Sequence, residues 1–248
     1  MSDFDRNIAA TRGVGVGRDL AIDAGLRAHM IRVYNYMAGG VALTGLVAYA
    51  SYALSVTPEG TLTPFGQALF GGPLFFVALF APLILVFFIS FRISSLSVGA
   101  AQALFFAYAG LLGLSLGSIF LVYTATSITR VFFISAASFG ALSLWGYTTQ
   151  RDLSGFGSFL IMGLFGLIIA SVVNIFLKSS GLDWALSVMG VGIFAGLTAW
   201  DTQKIKELYD PMDDGTVVGR KAVMGALALY LDFINLFLSL LRLMGDRR

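Results

Sequence analysis

The chain contains no cysteine and a single histidine, His29. Disulfides, haem thiolates and cysteine-ligated clusters are therefore excluded, and zinc or iron sites built from several His or Cys ligands have no material. Charge is scarce: 12% of the 248 residues are Asp, Glu, Lys or Arg, against about 25% in soluble domains. The net charge of +2 is too small to argue for nucleic acid. Proline is rare, at five residues, so few long runs are interrupted. The start, MSDFDRN, is acidic and polar, unlike a cleavable signal peptide. What the chain has in quantity is apolar: 57% hydrophobic, 14% aromatic, 29 glycines and a mean hydropathy of +0.84. This is the composition of an all-α integral membrane protein, in which glycine is tolerated inside helices.

Residues 1–32 read as a polar leader and 33–248 as one membrane domain. The run Gly13-Val14-Gly15-Val16-Gly17 lacks both the preceding strand and the spacing of a nucleotide loop, and reads as a flexible tail. From Arg18 the pattern changes. Ile22, Leu26, Met30 and Val33 share a helical face, and Arg18, Asp23, Arg27 and Arg32 lie elsewhere. That predicts a short helix lying on the membrane surface, with His29 as an interfacial residue. Seven apolar segments follow, near 33–56, 73–91, 101–123, 131–147, 156–177, 184–208 and 222–244, each read as a transmembrane helix. The intervening 57–72, with Pro58, Gly60, Pro64, Gly71 and Gly72, reads as a loop. With the leader inside, inner segments carry eleven Lys and Arg and outer ones five, so the amino terminus is expected to be cytoplasmic.

The last segment organises the rest. Asp232 sits in its middle, where a carboxylate costs about 2.5–3.5 kcal/mol on insertion scales. Gly225, Ala228, Asp232, Asn235, Ser239 and Arg242 recur at helical intervals and make one small or polar stripe facing other helices. Most other acidic residues lie in the leader or loops, but Asp201 follows directly on the apolar run of the sixth segment, in FAGLTAWDTQKIKELY. If the sixth helix ends near Leu208, the rise of 1.5 Å per residue brings Asp201 and Asp232 to similar depth on consecutive antiparallel helices. Two carboxyls at hydrogen-bond distance in a low dielectric are not both ionised, and hold a proton between them. The alternative is that Asp201 pairs with Lys204 or faces headgroup water. Arg92, closing the second segment, is either a positive anchor at the membrane surface or a latch on one carboxylate.

Three stretches carry a resemblance: WDTQKIKELY at 200–209, GALALYLDFINLFLSLLRLMG at 225–245, and GSIFLVYTATSITRVFFISAASFGALSLWGYTTQRDLSGFGSFLIMG at 117–163. Over about residues 25–248 the chain resembles the Bax inhibitor family, and in its bacterial branch. The resemblance implies seven transmembrane helices in two three-helix layers around a central carboxyl-terminal helix, in a bacterial inner membrane. It also implies a pH-sensitive calcium leak sensed by an aspartate pair matching Asp201 and Asp232, with Arg92 the nearest match to a latch.

Three function classes follow. A pH-regulated calcium leak needs an oxygen-rich path and a way to close; Asp201, Asp232, Asn235 and Ser239 are the candidate lining, and Asp201 and Asp232 the candidate Ca2+ ligands. A non-conducting regulator of another membrane protein, such as a quality-control protease, would use the leader and the loop Tyr209–Lys221. Catalysis lacks any Ser-His-Asp, Cys-His or metal-ligand set, so no enzyme and no organic cofactor is expected.

Overall fold

The computed structural model describes the backbone of residues 3–248 and the side chains of residues 24–248. The elements are helical throughout: α1 (Asp3–Ser55), α2 (Pro64–Gly71), α3 (Pro73–Arg92), α4 (Val98–Leu116), α5 (Ile119–Val122), α6 (Ala125–Thr148), α7 (Ser154–Leu177), α8 (Ser180–Glu207) and α9 (Gly215–Met244), with a 3-10 turn at Ile93–Ser95. Seven crossings are long and apolar enough to span a bilayer: Ala24–Ser55, Pro73–Ser95, Val98–Val122, Ala125–Thr148, Ser154–Leu177, Ser180–Glu207 and Gly215–Met244. The sixth and seventh are α8 and α9.

Helix starts follow local chemistry. Ser97, Thr124 and Ser179 cap α4, α6 and α8, each accepting a backbone N–H in the first turn, which satisfies a donor that has no partner within the helix. Thr63 does the same for α2, with Pro64 at the first helical position. That short helix falls within the expected loop. Thr63-Pro64 is its signal in the sequence, and the glycines around it hid the two turns that bury Leu69.

Asp214 caps α9, accepting from Thr216 and Val217 at 2.7 and 2.8 Å. These N–H groups hold its carboxyl below the usual aspartate range. Helix α9 thus begins at Gly215, two turns before the expected 222. The apolar run marks where lipid begins, whereas the cap marks where the helix begins.

Helix α9 is the most enclosed crossing, with 67% of its apolar window buried against 39% for α8 and 6% for α7. Its main neighbours are α8, α1, α6 and α4. Tyr230 is fully buried at its centre and meets Thr44 of α1 at 2.6 Å. Helices α3 and α7 instead turn Phe76, Phe91, Phe165 and Phe176 outward, as lipid-facing spans do. The carboxyl end is pinned to the end of the bundle opposite His29: Arg248 N–H donates to Val122 and Arg130 pairs with Asp246 at 3.0 Å. The start of the first crossing and the carboxyl terminus therefore lie at opposite ends of the bundle.

The side chains of Arg18, Ile22 and Asp23 lie outside the described residues. The rest of the expected surface-lying face is corrected. Met30 and Val33 are buried among the helices, because the first crossing already begins at Ala24. His29 is buried too, at 3% exposure, so it does not lie on the surface of the bundle.

Candidate functional site

Helices α8 and α9 run antiparallel, and the contacts between them repeat every seven residues along α9. At Gly225 a β-carbon would press on Ile205, and at Gly190 on Ser239, so the two helices approach closely at both levels. Between them the Asp232 and Asp201 carboxyls lie side by side, close enough to share a proton. The registry is held from the loop: Lys221 donates to the Leu208 carbonyl at 2.8 Å and to Asp213 at 2.5 Å. The first two turns of α9 therefore project past the end of α8, which is why its early start does not separate the two aspartates.

Asp232 is 4% exposed and its Oδ2 has no hydrogen-bond partner among the described residues. Asp201 is half-buried and opens onto a cavity of about 400 Å³ shared with His29, Lys204, Arg220 and Lys221. A bond between two carboxyl oxygens requires a proton, so a pair that shares one carries a single negative charge between two groups. Lys204, one turn along α8, is the cation whose field acts on Asp201.

The remaining polar residues of the sixth crossing fix α8 in place. Thr202 meets Ser143 at 2.9 Å, and Ser143 meets Tyr34 at 2.6 Å, giving a hydrogen-bonded chain across α8, α6 and α1. Gln203 accepts from Leu153 N–H and donates to the Arg151 carbonyl, each at 2.8 Å. Lys206 donates to the Tyr147 carbonyl at 2.9 Å, and Lys204 lies 4.7 Å from the Trp200 ring centre. The bonds to the Arg151 and Tyr147 carbonyls satisfy loop and helix-end groups that lipid would leave unpaired. The position of α8 around Asp201 is thereby held by the residues next to it in sequence.

On the other side of the pair is a second cavity of about 260 Å³, lined by Asn235, Ser239, Arg242 and Ser171 among others. Asn235 donates to the Leu231 carbonyl at 2.8 Å. Ala228 lines the first cavity and Asn235 the second. Asp232 lies four residues from one and three from the other, about one helical turn each way. The carboxyl pair thus stands between two cavities placed to either side of it along α9.

Arg92 does not join this site. Helix α3 ends there and the chain turns through Ile93–Ser95, so that Ile93 and Ser94 face the first cavity. The Arg92 side chain is exposed, and among the described residues it makes no ion pair with either aspartate. Among the described residues no group of three or more His, Asp or Glu comes together, whereas Ca2+ takes about six to eight oxygens.

A sequence model of the family described as inhibitor of apoptosis-promoting Bax1 matches residues 26–248. The chain belongs to the Bax inhibitor family. It is 48% identical over 229 residues to the inner membrane protein YbhL of Escherichia coli K12, covering 91% of this chain and 94% of YbhL. It is also 45% identical over 251 residues to proteins of Rickettsia prowazekii and Caulobacter vibrioides, covering 100% of both chains in each case.

For this Bax inhibitor family protein, sequence reasoning missed three members of the inner cavity. His29 was assigned to the membrane surface, Arg220 and Lys221 to a loop outside the last helix. The signal for the latter pair was Asp214-Gly215-Thr216, a capping sequence followed by helix formers. Nothing in the sequence marks His29, whose neighbours in space come from α8, α9 and the turn after α3.

Proposed function

We propose that the protein is a pH-regulated calcium leak of a bacterial inner membrane, gated by Asp201 and Asp232. One observation supports the reading: a buried carboxyl pair lies about one helical turn along α9 from each of two cavities, one to either side of it. While the pair shares a proton the side chains hold each other and α8 stays against α9. Loss of that proton sets like charges together in a low dielectric and drives the helices apart, leaving two carboxylates that a divalent cation can neutralise in passing. Asn235 and Ser239 supply oxygens on the far side. Calcium flux into proteoliposomes, followed at several pH values, tests the reading. Flux no greater than from empty vesicles at every pH would favour a non-conducting regulator of another membrane protein.

In its closed form the inner mouth is positive. Lys204, Arg220 and Lys221 line it and oppose entry of a divalent ion. The cation nearest the gate is Lys204, while Arg92 serves as a surface anchor. Lys204→Gln is expected to raise basal calcium flux about threefold to fivefold, roughly the 1 kcal/mol of one partly screened charge. Arg92→Ala is expected to leave flux within about twofold of wild type by the same reasoning. A larger rise for Arg92→Ala than for Lys204→Gln would restore Arg92 as the latch.

The Lys and Arg distribution puts the amino-terminal end of the bundle in the cytoplasm. A reporter fused before Met1 should read as cytoplasmic and one fused after Arg248 as external. Both on one side would reverse the roles given to the two cavities.

A further inference from the structure

The inner cavity has a chemistry that the calcium reading does not use. His29 forms part of its wall, is 3% exposed, and neither ring nitrogen has a hydrogen-bond partner among the described residues. A neutral imidazole carries one N–H donor and one acceptor, and leaving both unmet inside a protein is costly. Three cations reach the same space, and they are not equally occupied. Lys221 is matched by Asp213 at 2.5 Å. Arg220 donates only its Nε, to the Leu96 carbonyl at 2.7 Å. That bond fixes the guanidinium across the end of α3, and its terminal nitrogens have no partner among the described residues. Lys204 has no carboxylate partner there either, and rests on Trp200.

The acid in this wall, Asp201, lies beside Asp232. The cavity thus has an excess of donors and positive charge over acceptors. Its other walls are apolar, with Ile205, Leu208, Val217 and Met224, and Leu208 is half exposed at the rim. A free inorganic anion has no use for such walls. An anion attached to an acyl chain does, and basic pockets between transmembrane helices are suited to lipid head groups.

We propose that this cavity binds the phosphate head group of an anionic phospholipid from the adjoining leaflet, with Lys204 and Arg220 holding the phosphate, His29 donating its ring N–H, and the acyl chains lying over Leu208. The site does not depend on calcium conduction. Binding can be present in a protein that conducts nothing, and absent from one that leaks.

The test uses the full-length protein in detergent micelles and native mass spectrometry. Dioleoyl phosphatidylglycerol, dioleoyl phosphatidylcholine and inorganic phosphate are titrated separately, and phosphate is then added as a competitor. One copy of phosphatidylglycerol is expected to bind saturably and more tightly than phosphatidylcholine. Lys204→Gln and Arg220→Gln should each weaken it about fivefold, the effect of about one basic residue at a lipid head group. His29→Phe should also weaken it. Lys204→Arg should restore binding, which separates lost charge from disturbed packing. Arg151→Gln, an exposed cation at the same end of the bundle but outside the cavity, should change nothing. Equal binding of the two lipids, or wild-type affinity in both Gln variants, would leave only unspecific annular lipid and overturn the proposal. Displacement of phosphatidylglycerol by equimolar inorganic phosphate would overturn it in favour of a free-phosphate site.

Discussion

Proteoliposomes carrying Asp232→Asn should lose the pH dependence of calcium flux while keeping the protein folded. A gate controlled by one proton changes its open-to-closed ratio by up to about tenfold per pH unit at its steepest, because one unit is worth about 1.4 kcal/mol. Asparagine keeps the shape of the side chain and can still donate a hydrogen bond to Asp201, but it has no proton to lose in this range. The bond between α8 and α9 then survives at every pH, and the flux profile should fall to a slope near zero. Asp201→Asn should do the same from the other side of the bond. The double variant should differ from either single one by less than about twofold, since groups in direct contact act as one unit. Additive losses, or a full pH response in either single variant, would rule out the shared proton as the gate. A flat profile in the wild type would rule out gating by pH altogether.

Gly146→Ala should cost about 3 kcal/mol of stability, at the upper end of the overpacking range. Gly146 on α6 lies against the Ala199 backbone of α8, and a β-carbon there would run into the Ala199 carbonyl. No flexible side chain can give way, so the helices themselves must part. One turn earlier on α6, Ser143 holds Thr202, the neighbour of Asp201. Separation at Gly146 is therefore expected to break that bond as well and to loosen Asp201. Gly140→Ala is the control, since Gly140 is on the same helix with nothing within reach of a new β-carbon. It should be neutral or slightly stabilising, because alanine is the better helix former. The measurement is thermal unfolding in detergent, with an expected drop of about 6–12 °C for Gly146→Ala only. Equal midpoints for the two variants would mean that α6 and α8 do not pack as closely as described.

Lipid imposes a composition on any segment that crosses it, and composition can be read without knowing what touches what. The seven crossings, the small and polar stripe of α9, and the oddity of carboxylates at Asp201 and Asp232 were legible for that reason. Local capping chemistry was legible too, although it was under-read at Thr63-Pro64 and at Asp214-Gly215, where a helix began in polar sequence before the apolar run. Depth along an axis follows from counting residues, and that was enough to put the two aspartates at comparable levels.

Which groups share a cavity depends instead on how helices distant in sequence rotate and pack. His29 on α1, Lys204 on α8 and Arg220 on α9 meet at one opening, and no periodicity in any single helix encodes it. Arg92 illustrates the converse. Its position at the end of the second crossing was plain from the sequence, but the turn Ile93–Ser95 points the next residues into the cavity and leaves Arg92 outside. The sequence alone determined the number of crossings and the presence of two costly carboxyls among them. Only the tertiary structure decided that these carboxyls lie side by side between two cavities, and which cations face them. The physical reason is that burial in lipid acts on each residue separately, whereas a hydrogen bond or a charged cavity exists only between residues that packing has brought together.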